Sequence, residues 1–283
     1  MLDMVQRKRL NRIKLALLEG RSAWGIGVQT NSAEIIEMAA AAGFDFVYLD
    51  CEHGSFGFDG LIPLIRAAEA SGVTPVVRVP DQTPSFIMRV LDAGAMGVIV
   101  PNVKSADEAR AIVSAAKYLD GANGGTRGAC PGTRATWHQV RDWKEFATTS
   151  NCDTTVWLLL ESPEALKSAN EISAVPGVDA IMLGPFDLAH ALGLPGRTSH
   201  AAVIEACREI ANSARSNGAE VVWTIFGSGS STQDQELIAS MGSRIVVAGT
   251  DRRIVMNALR GRLPEAVPSS ASRSEMHHEK SGS

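Results

Sequence analysis

Five side chains able to hold cations, move protons or bind oxyanions stand at the ends of short apolar runs: Asp50 and His53 after FDFVYL, Arg78 in VVRV, Glu161 after VWLLL and Asp187 in IMLGPFD. Gathered at one cavity, carboxylates, an imidazole and a guanidinium must pair or neutralise their charges, because an unpaired buried charge is costly. A divalent cation does this directly. Two carboxylates from neighbouring strands, with other positions left to water and substrate, is how Mg²⁺ is usually held. Glu161 and Asp187 supply oxygen only, and no His or Cys spacing resembles a zinc cage, so Mg²⁺ or Mn²⁺ is expected over structural Zn²⁺. An ion held in this open way polarises a substrate oxygen as a Lewis acid.

Each residue also has a plain structural role open to it. Asp187 is placed to cap a following helix, and Glu161, followed by Ser-Pro-Glu, to put negative charge at a helix start. Arg78 suits a structural ion pair, and His53 suits a satisfied position on a rim. Singly, both readings stay open. Jointly the structural ones weaken, since packing does not require all five residues at one place.

What brings them together is the order of elements. Eight apolar runs, at 24–28, 44–50, 73–79, 96–101, 156–161, 178–184, 220–225 and 244–249, alternate with amphipathic stretches such as SAEIIEMAAAAG and SADEARAIVSAAKY. Several of those open on Ser or Asp and close on Gly, as helix caps require. Near-continuous apolar strands expect cover on both faces, which argues a parallel sheet, and eight strand–helix units in this length predict a (β/α)₈ barrel with an additional N-terminal helix. In that fold the strand ends converge on one mouth. The doubly wound sheet is the alternative, but no G-x-G-x-x-G follows the first strand, so no nucleotide cofactor is expected. GGTRGACPG at 124–132 follows no strand and reads as a loop.

Residues 119–155 break the rhythm and are expected to form an active-site flap or an oligomer contact. One domain is predicted over 1–267, with a polar tail at 268–283 expected to be disordered. The chain has 283 residues, 45% hydrophobic, and a formal net charge of −4, which gives no reason to expect nucleic acid. No run approaches the ~18 apolar residues of a membrane span. Cys51, Cys130, Cys152 and Cys207 show no disulfide or zinc spacing, so free thiols in a reducing cytoplasm are expected. The N-terminus reads as an amphipathic helix rather than a signal peptide.

The segments FDFVYLDCEH (44–53), VVRV with Arg78, VLDAGAMGVIVP (90–101), LLLES (158–162) and GVDAIMLGPFDLAHALGLPG (177–196) resemble the HpcH/HpaI aldolases, metal-dependent class II pyruvate aldolases. The resemblance covers roughly residues 20–262. It implies that Glu161 and Asp187 bind the metal (Mg²⁺, Mn²⁺ or Co²⁺), that Arg78 is the family's arginine and that His53 is its general base. It further implies that Asp92 orients the base histidine, from a neighbouring subunit in some members, and that Asp50 is an acidic residue close to the site. The backbone of Gly184, Pro185 and Phe186 would lie beside the substrate carboxylate. The implied chemistry joins or cleaves a 4-hydroxy-2-oxo acid through a pyruvate enolate, with a 2-oxo acid and an aldehyde as small-molecule partners, in a homo-oligomer, a hexamer.

Two positions depart from the family pattern. Leu159 stands where the family usually carries a glutamine, two residues before the metal glutamate, and Phe186 is bulky for a position often small in pyruvate-specific members. Leu159 keeps a related reading open, an enolate-using synthase or oxaloacetate decarboxylase of citrate-synthase-like type. A third reading is a non-catalytic metabolite-binding barrel, against which the retained Arg, His and carboxylates argue.

Overall fold

The computed structural model describes residues 10–121, 124–226 and 232–264. All eight expected strands form: β1 (Ala23–Val28), β2 (Phe46–Asp50), β3 (Thr74–Arg78), β4 (Gly97–Val100), β5 (Thr155–Leu160), β6 (Ala180–Leu183), β7 (Glu220–Thr224) and β8 (Ile245–Thr250). They pair in parallel and in sequence order, β8 returning to β1, so the barrel is closed. The (β/α)₈ expectation holds.

The helices are α1 (Arg12–Leu18), α2 (Ala33–Ala41), α3 (Phe58–Ser71), α4 (Pro84–Asp92), α5 (Ala106–Ala116) and α6 (Trp143–Asp153). They continue with α7 (Pro163–Lys167), α8 (Ala169–Ser173), α9 (Pro185–Ala191), α10 (Ala201–Ser216), α11 (Thr232–Met241) and α12 (Asp251–Arg260). Capping follows the sequence. Ser32, Ser105 and Ser162 accept hydrogen bonds from the backbone N–H of Ile35, Glu108 and Ala165, and Gly72 ends α3 at φ 77°, where a side chain would be strained.

Alternation along each strand splits the apolar residues into two cores. Val47, Leu49, Val77, Val98, Leu158, Ile181 and Val246 pack outward under the helices. Phe46, Tyr48, Val76, Ile99, Trp157, Leu159, Met182, Val222 and Val247 fill the barrel interior. Gly25 and Gly27 on β1 make room for this filling, since a Cβ at either would come within 2.6 Å of the Phe46 or Tyr48 ring. The same two-residue period carries Asp50, Arg78 and Glu161 inward, one step beyond the apolar layers.

At the other end of the strands, α1 adds Ile13 and Ala16 to the interior core. It is tied there by bonds from the Arg12 N–H to Thr74 Oγ1, from Asn11 Nδ2 to the Asp153 carbonyl and from Lys14 Nζ to Asp179. The expected N-terminal helix is thus present over its described part.

The 119–155 stretch connects α5 to β5, and α6 occupies its second half. Connections that run from a helix into a strand lie at the N-terminal ends of the strands, so this segment is no flap over its own mouth. Length alone suggests one, but length does not say at which end a loop lies. The Gly-rich part at 124–132 is irregular, as expected.

Two compact units divide the chain, Met1–Asp251 with the barrel and Arg252–Ser283. In the described part of the second, Ile254, Val255, Met256, Leu259 and Leu263 are exposed. The expected tail at 268–283 lies outside the described residues.

Candidate active site

Asp50 and Arg78 end adjacent strands and face each other in register. The guanidinium closes a fork on the carboxylate, Nε to Oδ1 at 2.9 Å and Nη2 to Oδ2 at 2.6 Å, while Nη1 lies 3.1 Å from Glu52 Oε2. Asp50 is fully buried. It also accepts from Gln29 Nε2 (2.9 Å) and from the backbone N–H groups of Glu52 (3.1 Å) and His53 (3.0 Å). Burial alone would raise the Asp50 pKa, but the bonds and charge of Arg78, helped by Gln29 and the His53 N–H, hold it below the usual range. Asp50 is therefore an anchor: it fixes the Arg78 plane and the turn that carries His53.

His53 projects from that turn with its side chain 64% exposed and Nε2 3.8 Å from Glu52 Oε2. Glu52 is itself raised by burial, against the attraction of Arg78 and His53. Cys51, between these residues, has its thiol pushed up to about 12 by burial and by Asp50, so it stays protonated and is no nucleophile.

Glu161 lies on the far side of the mouth, one residue past β5. Its Oε1 accepts from the Asn102 backbone N–H at 2.9 Å, the one hydrogen bond to this carboxylate among the described residues. Asn102 sits just after β4 at φ 57°, a left-handed conformation that Asn tolerates better than most residues. Burial raises the Glu161 pKa to about 7; the Asn102 N–H opposes this, while Asp187 and Glu52 add repulsion. Asp187, in the first turn of α9, is exposed and accepts no hydrogen bond from a described residue. Two acidic groups that repel each other and accept a single hydrogen bond between them among the described residues suit an oxygen-seeking cation. Among the described residues no three His, Cys, Asp or Glu side chains form a cage, so ligand and water would complete the shell.

Gly184 leaves space for Glu161, Leu159 is 3% exposed in the interior layer beneath them, and Phe186 stands 58% exposed at the rim. Leu159 and Met182, cross-strand partners on β5 and β6, make this side of the floor apolar. Pro185 is buried at the first position of α9.

Asp92 is not at this mouth. It ends α4, on the side where the strands begin, and its carboxylate takes a 2.7 Å bond from the buried Arg127. There it borders a cavity of about 270 Å³ with Phe58, Arg66, Arg89 and Thr133. The chain thus assembles Asp50, His53, Arg78, Glu161 and Asp187 but holds Asp92 apart. The buried Lys117 is also at the far end, bonded to the carbonyls of Asn151 and Thr154.

Sequence reasoning missed Gln29, Asn102 and Tyr48. Gln29 follows β1 directly, and its position at a strand end was the available signal. Asn102 acts through its backbone, which leaves no mark in a side-chain pattern. Tyr48 shares the inward parity of Asp50, two residues earlier.

A closed barrel with this mouth belongs to a class that similarity makes definite. The HpcH/HpaI aldolase/citrate lyase family model matches residues 25–258, and the chain belongs to that family. The hydroxypyruvate/pyruvate aldolase of Paraburkholderia phytofirmans is 33% identical over 258 residues, 90% of this chain and 97% of that protein. Among solved structures, an HpcH/HpaI aldolase/citrate lyase family protein of Burkholderia cenocepacia superposes with a TM-score of 0.81 at 27% identity, covering 89% of this chain and 97% of the other. The citrate synthase SbnG gives 0.78 at 28% identity over 95% and 99%.

Proposed function

We propose that the protein is a divalent-metal-dependent carbon–carbon lyase that cleaves or forms a 4-hydroxy-2-oxo acid through a pyruvate-type enolate. The observation that carries this reading is the pairing, across one mouth, of the forked Arg78 with the donor-poor carboxylates Glu161 and Asp187. Glu161 and Asp187 would hold Mg²⁺, Mn²⁺ or Co²⁺, which when bound supplies a Lewis acid for the keto oxygen of a 2-oxo acid. Arg78, its plane set by Asp50, presents its remaining N–H edge to the oxygen on which negative charge grows, the arrangement that stabilises an enolate. The Gly184–Phe186 backbone flanks the substrate carboxylate. His53, exposed at the rim, takes the proton from the 4-hydroxyl as the bond breaks and returns it on condensation.

Asp92 enters this scheme through association. A second copy would bring its Asp92 to His53, and the exposed apolar side chains of the Arg252–Pro264 segment favour such assembly, with a hexamer the reading the family suggests. The four free cysteines support a reducing compartment.

The test is turnover of pyruvate with glycolaldehyde or succinic semialdehyde in the presence of Mn²⁺, with loss on chelation. Leu159 favours one further reading, an enolate drawn from oxaloacetate by a synthase or decarboxylase. Release of pyruvate from oxaloacetate without any aldol product would replace the first reading by the second.

A further inference from the structure

Gln29 leaves β1 at the mouth and engages each of its polar groups with a different residue. Its N–H donates to Asp251 Oδ1, its carbonyl accepts from the Ser55 N–H and its Nε2 donates to Asp50 Oδ2, each at 2.9 Å. Thr30 doubles the first of these grips, since its N–H (3.0 Å) and its hydroxyl both donate to Asp251 Oδ2. Asp251 follows β8, opens α12 and is 2% exposed. Two successive backbone N–H groups thus close on one buried carboxylate, which holds residues 29–30 in place.

What Gln29 holds in turn is the path from Arg78 to His53. The turn that carries His53 is tight: the Gly54 N–H bonds the Asp50 carbonyl at 3.0 Å, and there is no room for a Cβ at 54. The Asp50–Arg78 fork ties the start of this turn through the Glu52 and His53 N–H groups. Gln29 ties its end, at Ser55, through the carbonyl and the fork itself through the amide. On the proposed function, on which this inference rests, Arg78 faces the enolate oxygen and His53 the 4-hydroxyl. Their separation must then match that of two atoms in one substrate, and a displacement of about 1 Å lowers a rate by up to about 100-fold. We propose that Gln29, set by Asp251, is a positioning residue that fixes the separation of Arg78 and His53.

The test compares wild type, Gln29→Met, Gln29→Glu and Asp251→Asn with pyruvate, one aldehyde and Mn²⁺. Gln29→Met keeps the length but not the donor, so kcat should fall about 10-fold or more with KM little changed. Around position 29 stand the Asp50 and Asp251 carboxylates, with Arg78 and Glu52 beyond Asp50. In Gln29→Glu a protonated carboxyl donates to Asp50 as the amide does, whereas a charged one repels it. Its kcat relative to wild type at the same pH should therefore climb from pH 8 to pH 6, while Gln29→Met stays low at both. Asp251→Asn keeps one oxygen for the Gln29 N–H but turns an amide towards the Thr30 donors. It should lower kcat too, and adding it to Gln29→Met should lower kcat little further, because both act through one contact. Without any substrate, phenylglyoxal labelling of Arg78, read by peptide mass spectrometry, should run several-fold faster in Gln29→Met than in wild type. An Arg78 labelled at the wild-type rate, a Gln29→Glu deficit equal at both pH values, or effects of Asp251→Asn and Gln29→Met that multiply in full would each overturn the assignment. Faster labelling beside a wild type that turns over neither pyruvate with an aldehyde nor oxaloacetate would instead overturn the proposed function beneath it.

Discussion

Gly184 and Glu161 interlock: a Cβ at 184 would stand 2.4 Å from the Glu161 Cβ and 3.0 Å from its Oε2. The backbone of β6 thus approaches the β5 carboxylate more closely than any side chain allows. Gly184→Ala should leave the barrel folded but turn Glu161 away from Asp187. The expected result is Mn²⁺ affinity lowered about 10-fold or more by calorimetric titration, with a similar fall in kcat/KM; unchanged affinity would mean that Glu161 is no ligand.

Asp50→Asn removes the charge from a buried fork while keeping its shape. Arg78, with its side chain 12% exposed, would keep only Glu52 as a charged partner among the described residues. Breaking one side of such a pair costs about 3–5 kcal/mol, which urea unfolding would read directly.

The Glu161 pKa of about 7 in the metal-free protein gives a signed pH dependence. Its folded value lies above the unfolded one, so the native state holds the proton more tightly. The stabilisation belongs to the protonated form and is lost as pH rises through 7. Glu161→Gln should therefore raise the thermal midpoint over wild type at pH 8 and much less at pH 5. Metal binding requires the carboxylate, so Mn²⁺ affinity should rise about 10-fold from pH 6 to pH 8 and then level off.

His53→Ala and Asp92→Ala should each be nearly inactive alone. Mixed after dissociation and reassembled, they should regain part of the activity, because some sites then combine an intact His53 with an intact Asp92 from another copy. Recovery absent in the mixture, with normal assembly by mass, would place the working partner of His53 within its own chain.

The strands were readable because both faces of each are buried, so their sequences run apolar almost without interruption. Asp50, Arg78 and Glu161 were readable for the same reason: each breaks such a run at a position the alternation turns inward. α6 was harder, since WKEFATTSNCD is largely polar and buries only Ala147 and Asn151. Asp92 matched a family motif, yet a motif does not say which end of a barrel a residue reaches; the direction of α4 does. Tyr48 reads as one more large strand residue, because its place beside Arg78 becomes visible only once β2 and β3 are paired.

The α1 plug has a kinetic consequence. With Ile13 and Ala16 filling the base, the barrel has a single doorway, and whatever enters first lies deepest and leaves last. In cleavage the aldehyde should depart ahead of the 2-oxo acid that Arg78 is proposed to hold. Steady-state product inhibition would show this order as pyruvate competing with the substrate and the aldehyde failing to do so.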